Sequence, residues 1–138
     1  MKKPTAPVTI PSTTSRQIVI DLTYPPSVNG LWRSTGARVY RSPKYIAWIA
    51  ENAWAARAQA GKQPSKQIEG DFTLLMLAAR PDARRRDLDN IMKACLDFCE
   101  RTIGIVKNDC NCIELTAKWV PESEAPTGVR LYIDEITR

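Results

Sequence analysis

The sequence predicts one α+β domain, in which a mixed β-sheet of about four strands packs with two main helices. Three observations lead to this class. Four short segments carry apolar residues at the spacing of β-strands. Two longer segments carry them at the spacing of amphipathic helices. There is no internal repeat, and 138 residues are enough for one hydrophobic core.

The predicted strands differ in how many of their faces are apolar. In QIVIDLTY, Ile18, Ile20 and Leu22 alternate with other positions, the pattern of a half-buried strand. FTLLMLAA is apolar on both alternating faces, which favours a central strand covered on both sides. IELTAKWV and VRLYIDEI alternate again and are joined by PESEAPTG, which predicts a hairpin. The segment around Val39 is a candidate for a short extra strand.

Two helices are predicted from capping residues and apolar spacing. Ser42 and Pro43 begin the first, as a capping side chain followed by proline in the first turn, and it runs to about Gly61. Its predicted inner face consists of Tyr45, Ile46, Ile49, Ala53, Ala56 and Ala60. Trp54 lies off this face, so it is either an isolated surface residue or part of an interface. The second helix runs from Leu88 to Gly104, with an inner side of Leu88, Ile91, Met92, Cys95, Phe98, Cys99 and Ile103.

Composition limits the classes of protein to consider. The formal net charge of +5 suggests an anionic partner without proving one. No apolar run approaches the ~20 residues that span a bilayer. MKKPTAPVTIPSTTSR has no continuous apolar core, so it is not expected to be a signal peptide. We predict a cytoplasmic protein with a flexible basic tail at residues 1–16 and one domain at residues 17–138.

Four cysteines, at positions 95, 99, 110 and 112, raise the question of a zinc site. Structural zinc sites usually use cysteine pairs in loops, whereas Cys95 and Cys99 fall on the apolar side of the second helix. Buried thiols are therefore the favoured interpretation.

The segment RRRDLDN, residues 84–90, follows the predicted central strand and begins the second helix. Its arginines attract phosphate. Asp87 and Asp89, two residues apart, would project from the same side of an extended chain and suit a hard cation such as Mg²⁺. The alternative is that one aspartate caps the helix and the other complements its dipole.

Lys93 lies four residues after Asp89, on the same flank of the helix, with Glu100 further along it. A salt bridge with Asp89 would account for this lysine. An ammonium beside a metal-bound phosphate could instead orient an attacking water or stabilise developing negative charge. The chain has no histidine, so hydrolysis would rest on a metal ion, carboxylates and lysine.

Two stretches carry a family resemblance. PDARRRDLDNIMKACLDFCERTIGIVKND resembles the signature region of the RusA family of Holliday junction resolvases, and YPPSVN is similar to that family's Pro-Pro-Ser-Asn-Asn element, with Val28 departing from it. The resemblance runs from about Gln17 to the C-terminus. It implies a homodimeric, Mg²⁺-dependent endonuclease that cuts four-way DNA junctions symmetrically, of a kind common in phages and prophages. We expect no organic cofactor and no membrane association.

The resemblance also implies roles for individual residues. Asp87 and Asp89 match the family's first two catalytic aspartates, Asp109 the third, and Lys93 its functionally important lysine. Many relatives have an acidic pair where this chain has Asn108 and Asp109, so its site is one carboxylate poorer.

The position of Asp109 is a geometric question. A helix over 88–103 is about 24 Å long at ~1.5 Å per residue. The six residues from Gly104 to Asp109 reach at most roughly 20 Å. This nearly spans the helix, so Asp109 of the same chain is favoured over Asp109 supplied across the dimer interface.

Three functions remain open from the sequence. In the first, a junction resolvase, Asp87, Asp89 and Asp109 hold the metal, Lys93 assists catalysis, and metal-activated water attacks the phosphodiester. The DNA contacts would then come from Arg84, Arg85, Arg86, Asn90, Arg33, Arg38 and Arg41. The second is a non-catalytic DNA-binding protein. The third is a structural or regulatory protein whose charges are solvated.

Overall fold

The computed structural model describes residues 13–27, 32–36, 38–61 and 66–137. Its main elements are β1 Thr13–Thr23, β2 Trp32–Thr35, β3 Arg38–Arg41, α1 Pro43–Gly61, β4 Phe72–Ala78, α2 Met92–Asp97, β5 Cys112–Trp119 and β6 Gly128–Thr137. β1 begins inside the segment predicted as a tail, and residues 1–12 of that tail lie outside the described residues. In the described ranges, no helix combines the length and apolar character of a membrane span.

The central sheet has the order β1-β6-β4-β5. β6 pairs antiparallel with both β1 and β4, whereas β5 pairs parallel with β4. A mixed four-stranded sheet with two helices confirms the predicted α+β class. The short strand expected around Val39 is β3, which forms a separate two-stranded ribbon with β2.

The predicted hairpin of β5 and β6 is wrong. The segment between them crosses the end of β4 and places the two strands on either side of it. Backbone hydrogen bonds fix this crossing, since Val120 N–H donates to the Ala78 carbonyl and Ala79 N–H donates to the Gly128 carbonyl, both at 2.9 Å. Alternating patterns in two successive strands do not specify that the strands pair, and here the central apolar strand takes both as neighbours.

The two faces of the sheet differ in burial. One face forms the core with the helices and includes Phe72, Leu74, Met76 and Ala78 of β4. The other face is only partly buried. Along one row, Val19, Tyr132, Leu75 and Thr116 lie side by side across all four strands, and we call this row and its neighbours the second sheet face. The prediction that β4 is covered on both sides therefore holds for one face of the single chain.

Helix α1 begins and ends at the predicted residues. Ser42 caps its start, because Ser42 Oγ accepts a hydrogen bond from Tyr45 N–H at 3.1 Å. Its inner face was predicted in part: Tyr45 and Ala56 are buried, whereas Ile46 is 53% exposed. The buried stripe consists of Tyr45, Trp48, Asn52 and Ala56. Trp48 and Asn52 can be buried because their polar atoms bond the chain at Thr23. Trp54 is 82% exposed, as its off-face position predicted.

The second predicted helix consists of three segments. A 3₁₀ turn over Leu88–Ile91 leads into α2, and a π-helical turn over Phe98–Thr102 follows. The expected inner residues Ile91, Met92, Cys95, Phe98 and Cys99 are buried, and Gly104 ends the helix with φ +61°.

The four cysteines are free thiols; Cys95 and Cys99 are buried, as predicted, whereas Cys110 is exposed. Burial raises the pKa of Cys99 to about 12, so this thiol stays protonated near neutral pH.

Candidate active site

Asp87 and Asp89 lie where the chain leaves β4 and begins to turn into the helix. Asp87 has extended backbone angles at the cap position, yet its carboxylate accepts no capping hydrogen bond. Its nearest partner is the side-chain amide of Asn90 at 3.5 Å. Asp89 is exposed, and its carboxylate forms no hydrogen bond or ion pair with the described residues. Side-chain capping therefore accounts for neither carboxylate, whereas Asp89, in the first turn, can complement the helix dipole.

Lys93 contacts two carboxylates, and neither belongs to Asp89. Its Nζ lies 3.0 Å from Asp97 Oδ1 and 3.6 Å from Asp109 Oδ2. The contact with Asp97 is the main reason that the pKa of Lys93 is raised, and the charge of Asp109 adds to it. The salt bridge considered with Asp89 is thus replaced by one with the next acidic residue along the helix. Asp109 of the same chain does reach the lysine.

Asp97 is the residue that sequence reasoning missed. It is buried, and ligand atoms of Asp97, Glu100 and Asp109 lie within 4.8 Å of one another. A spacing signal was present, because Asp89, Lys93 and Asp97 follow each other at four-residue intervals on one helical flank. Within the described chain, this group does not include Asp87 or Asp89, which lie about two helical turns earlier. Of the predicted metal ligands, Asp109 is the one that belongs to this group.

The return segment that carries Asp109 is held by backbone hydrogen bonds to Ile68, in the segment between α1 and β4. Ile68 N–H donates to the Ile105 carbonyl at 2.8 Å, and Lys107 N–H donates to the Ile68 carbonyl at 2.9 Å. Asn108, at the position where many relatives are acidic, accepts a hydrogen bond from Cys110 N–H at 3.0 Å and caps the turn of Asp109. This asparagine has a structural role that does not require a charge.

The three arginines of RRRDLDN are not equivalent. Asp82 binds Arg84 and Arg86 through their guanidinium groups at 2.7–3.2 Å. These contacts hold the pKa of Asp82 well below its usual range, and the hydrogen bond from Arg86 has the largest effect. Arg85 is exposed and forms no ion pair with the residues that the structure describes. Arg85 therefore has the positive charge that is most available to a phosphate.

An aromatic stack joins the YPPS loop to this segment. Arg86 lies over the Tyr24 ring at 5.4 Å, and Tyr24 stacks on Trp119 at 6.5 Å between ring centroids. Arg80 lies over the Trp119 ring at 4.3 Å. The two stretches that carry the family resemblance are far apart in sequence and meet here.

Two adjoining clefts run along this junction. The larger, of about 400 Å³, is lined by the YPPS loop and by α1 residues that include Lys44 and Glu51. The smaller, of about 220 Å³, is lined by Tyr24, Ser27, Arg85, Arg86, Asp87, Asn90 and Ile91. Ser27 and Arg86 line both, so a bound chain could extend from the loop to Asp87.

The β2–β3 ribbon contains the other predicted DNA-binding arginines. Arg41 lies over the Tyr45 ring at 5.6 Å, and the neighbouring Trp32 and Tyr40 are more than two-fifths exposed. The backbones of Arg33 and Arg38 lie in the two strands, but their side chains are outside the described residues, as are residues 28–31 with the departing Val28.

The comparison with protein families decides the family question. The family model Endodeoxyribonuclease RusA matches residues 23–133. The chain belongs to the RusA family. This confirms the resemblance, and the match contains Asp87, Asp89, Lys93 and Asp109.

The similarity to two relatives agrees with this assignment. The crossover junction endodeoxyribonuclease RusA of Aquifex aeolicus is 34% identical over 85 residues, which cover 61% of this chain and 64% of the relative. The crossover junction endodeoxyribonuclease rusA of Enterobacteria phage HK97 is 38% identical over 82 residues, covering 55% and 61%. In each case the chain spans less than two thirds of the relative's length.

Proposed function

We propose that this protein is an endodeoxyribonuclease that resolves four-way DNA junctions by Mg²⁺-dependent phosphodiester hydrolysis, in DNA recombination and repair. One observation carries the proposal: Lys93 and Asp109, two positions matched to the family, lie 3.6 Å apart in the folded chain. The names of both relatives support the same activity. The phage relative supports a phage or prophage origin, and a DNA substrate implies action in the cytoplasm.

The metal site is proposed to consist of Asp87, Asp89 and Asp109. All three offer carboxylate oxygens, the donors that Mg²⁺ prefers, and Asp87 and Asp89 are exposed without protein partners that would compete strongly. When bound, Mg²⁺ would supply a nucleophilic water and neutralise charge on the phosphate. The excess of carboxylates over lysine around Asp109 fits a divalent cation.

The remaining roles belong to cationic side chains. Lys93 lies beside Asp109, where its ammonium can stabilise negative charge that develops on a phosphate. Arg85 is proposed to bind a neighbouring phosphate at the smaller cleft, next to Asn90. Arg84 and Arg86 shape this segment through Asp82 and add positive potential. Arg33, Arg38 and Arg41 of the ribbon are proposed to contact junction arms.

The protein is further proposed to act as a two-fold homodimer, in which two matched sites cut opposing strands. The second sheet face supports this proposal, because Leu75 and Val19 there remain partly exposed in the single chain. An apolar central strand is usually covered on both faces, and a second copy would cover this one. Trp54, on α1, is the competing contact surface.

Sedimentation of two variants separates these surfaces. Leu75→Arg places a charge in the second sheet face and is expected to shift the protein to a monomer. Trp54→Ala, on exposed helix surface, is the control and should leave the dimer intact. A wild-type monomer that still cleaves junctions would refute the homodimer.

The function is tested with a synthetic four-way junction, with and without Mg²⁺, and with linear duplex as the control. We expect symmetric cleavage of the junction only when Mg²⁺ is present, with little cutting of the duplex. A non-catalytic DNA-binding protein would retain the junction in a gel shift and cut nothing in either condition. That result would reject the nuclease proposal.

A further inference from the structure

Lys93 is shared unequally between two carboxylates. Its Nζ lies nearer to Asp97 than to Asp109, at 3.0 Å against 3.6 Å. The Asp97 side chain is only 4% exposed, so it has lost most of its hydration and depends on this cation. The Asp109 side chain is 29% exposed and can exchange the lysine for another partner. Asp97 also raises the pKa of Lys93 more than Asp109 does.

The division of the lysine matters because an ammonium and a divalent cation compete for the same carboxylate oxygens. If Lys93 paired fully with Asp109, its positive charge would repel a metal ion there and occupy a ligand atom. Resting on the proposed function, in which Asp109 binds a metal, we infer that Asp97 is a positioning residue. By holding Lys93, it leaves Asp109 available to a divalent cation and keeps the ammonium beside it.

The surrounding charges agree with this role. Glu100 adds a third carboxylate to those of Asp97 and Asp109, against the single ammonium of Lys93. Glu100 itself contacts Arg101, at 3.8 Å, and not Lys93. Asp97 is therefore the partner that fixes where the ammonium lies, and its removal leaves Asp109 as the remaining carboxylate partner of Lys93.

The test is a titration with Mn²⁺ in the absence of DNA, in which the free ion is followed by electron paramagnetic resonance. We expect Asp97→Asn to bind Mn²⁺ about tenfold more weakly than the wild type, since Lys93 then pairs with Asp109. In the double variant Lys93→Gln/Asp97→Asn, the competing ammonium is gone, so the affinity should return to the wild-type value. Glu124→Gln, an exposed charge change in a distant turn, is the control and should bind normally.

Two outcomes would overturn the inference. One is wild-type Mn²⁺ affinity in Asp97→Asn. The other is a double variant as weak as the single one, which would make Asp97 act on the metal directly. If Asp97→Asn does not fold, Lys93→Gln alone decides, because it removes the competitor and must bind Mn²⁺ at least as tightly as the wild type.

The same samples separate this inference from the proposed function. A wild-type protein that cuts junctions while Asp97→Asn binds Mn²⁺ normally rejects only the role of Asp97. A wild-type protein that neither binds Mn²⁺ nor cuts DNA rejects both.

Discussion

Asp89 and Asp97 are the same type of residue, eight positions apart in successive helical segments, and their surroundings are opposite. Asp89 is exposed and has no partner among the described side chains. Asp97 is buried and paired with Lys93 at 3.0 Å. An exposed carboxylate next to a cleft can exchange water for a metal ion at little cost. A buried, paired carboxylate cannot be displaced easily, and it is suited to hold another side chain.

The largest expected effect comes from removing charge at the exposed pair. Asp87→Asn and Asp89→Asn should lower junction cleavage about 10³-fold, because each removes a proposed metal ligand while keeping side-chain volume. Asp109→Asn should behave in the same way. Junction binding, measured by gel shift in Ca²⁺, should persist or tighten as a charge that repels phosphate disappears. Near-normal cleavage by the Asp87 and Asp89 variants would remove the proposed site.

For the stability of the fold, we expect the opposite order, with Asp97 mattering more than Asp89. Asp97→Ala is expected to lower the free energy of unfolding by about 2 kcal/mol, less than for a fully buried pair because the Lys93 side chain is 49% exposed. Asp89→Ala should change it by no more than about 0.5 kcal/mol. Urea denaturation measures both, and equal losses would contradict the comparison.

The pH dependence of this stability follows from Lys93. Its pKa is raised in the folded state, so its contribution is fully present below the usual lysine pKa and is lost as pH rises through the raised value. The difference in free energy of unfolding between Asp97→Ala and Asp89→Ala should therefore persist at neutral pH and shrink in strongly alkaline solution.

The smallest expected effect concerns the arginines, where unpaired Arg85 is compared with Arg84, which is paired with Asp82. Arg85→Ala should reduce the slope of log binding constant against log salt by about one, because an unpaired phosphate contact is lost. Arg84→Ala should change the slope less, since Asp82 already neutralises part of that charge. Equal slopes for both variants would show that Asp82 does not decide which arginine meets DNA.

Local patterns predicted much of this molecule. Ser42 and Pro43 gave the start of α1, and the run of buried positions in FTLLMLAA gave the central strand. Charge spacing drew attention to Lys93 but paired it with Asp89, whereas it contacts Asp97 and Asp109. These features depend on neighbours within a few positions, which is the range over which a sequence pattern carries information.

Contacts between distant segments could not be predicted in the same way. The strand partner of β5 depends on which edge of β4 is free, and the alternation of apolar residues in β5 does not predict that edge. Asp97 looks like an ordinary polar residue of a helix until the return segment brings Asp109 against it.

The wide turn at Phe98–Thr102 bears on how the chain can change in length. Ile103 N–H donates to the carbonyl of Phe98, five positions back, so this turn contains one more residue than an α-helical turn. A deletion of one residue between Lys93 and Asp109 can be absorbed here, because the turn then narrows to an α-helical one. The spacing between the lysine and the third aspartate can therefore shorten by one residue while their contact is kept.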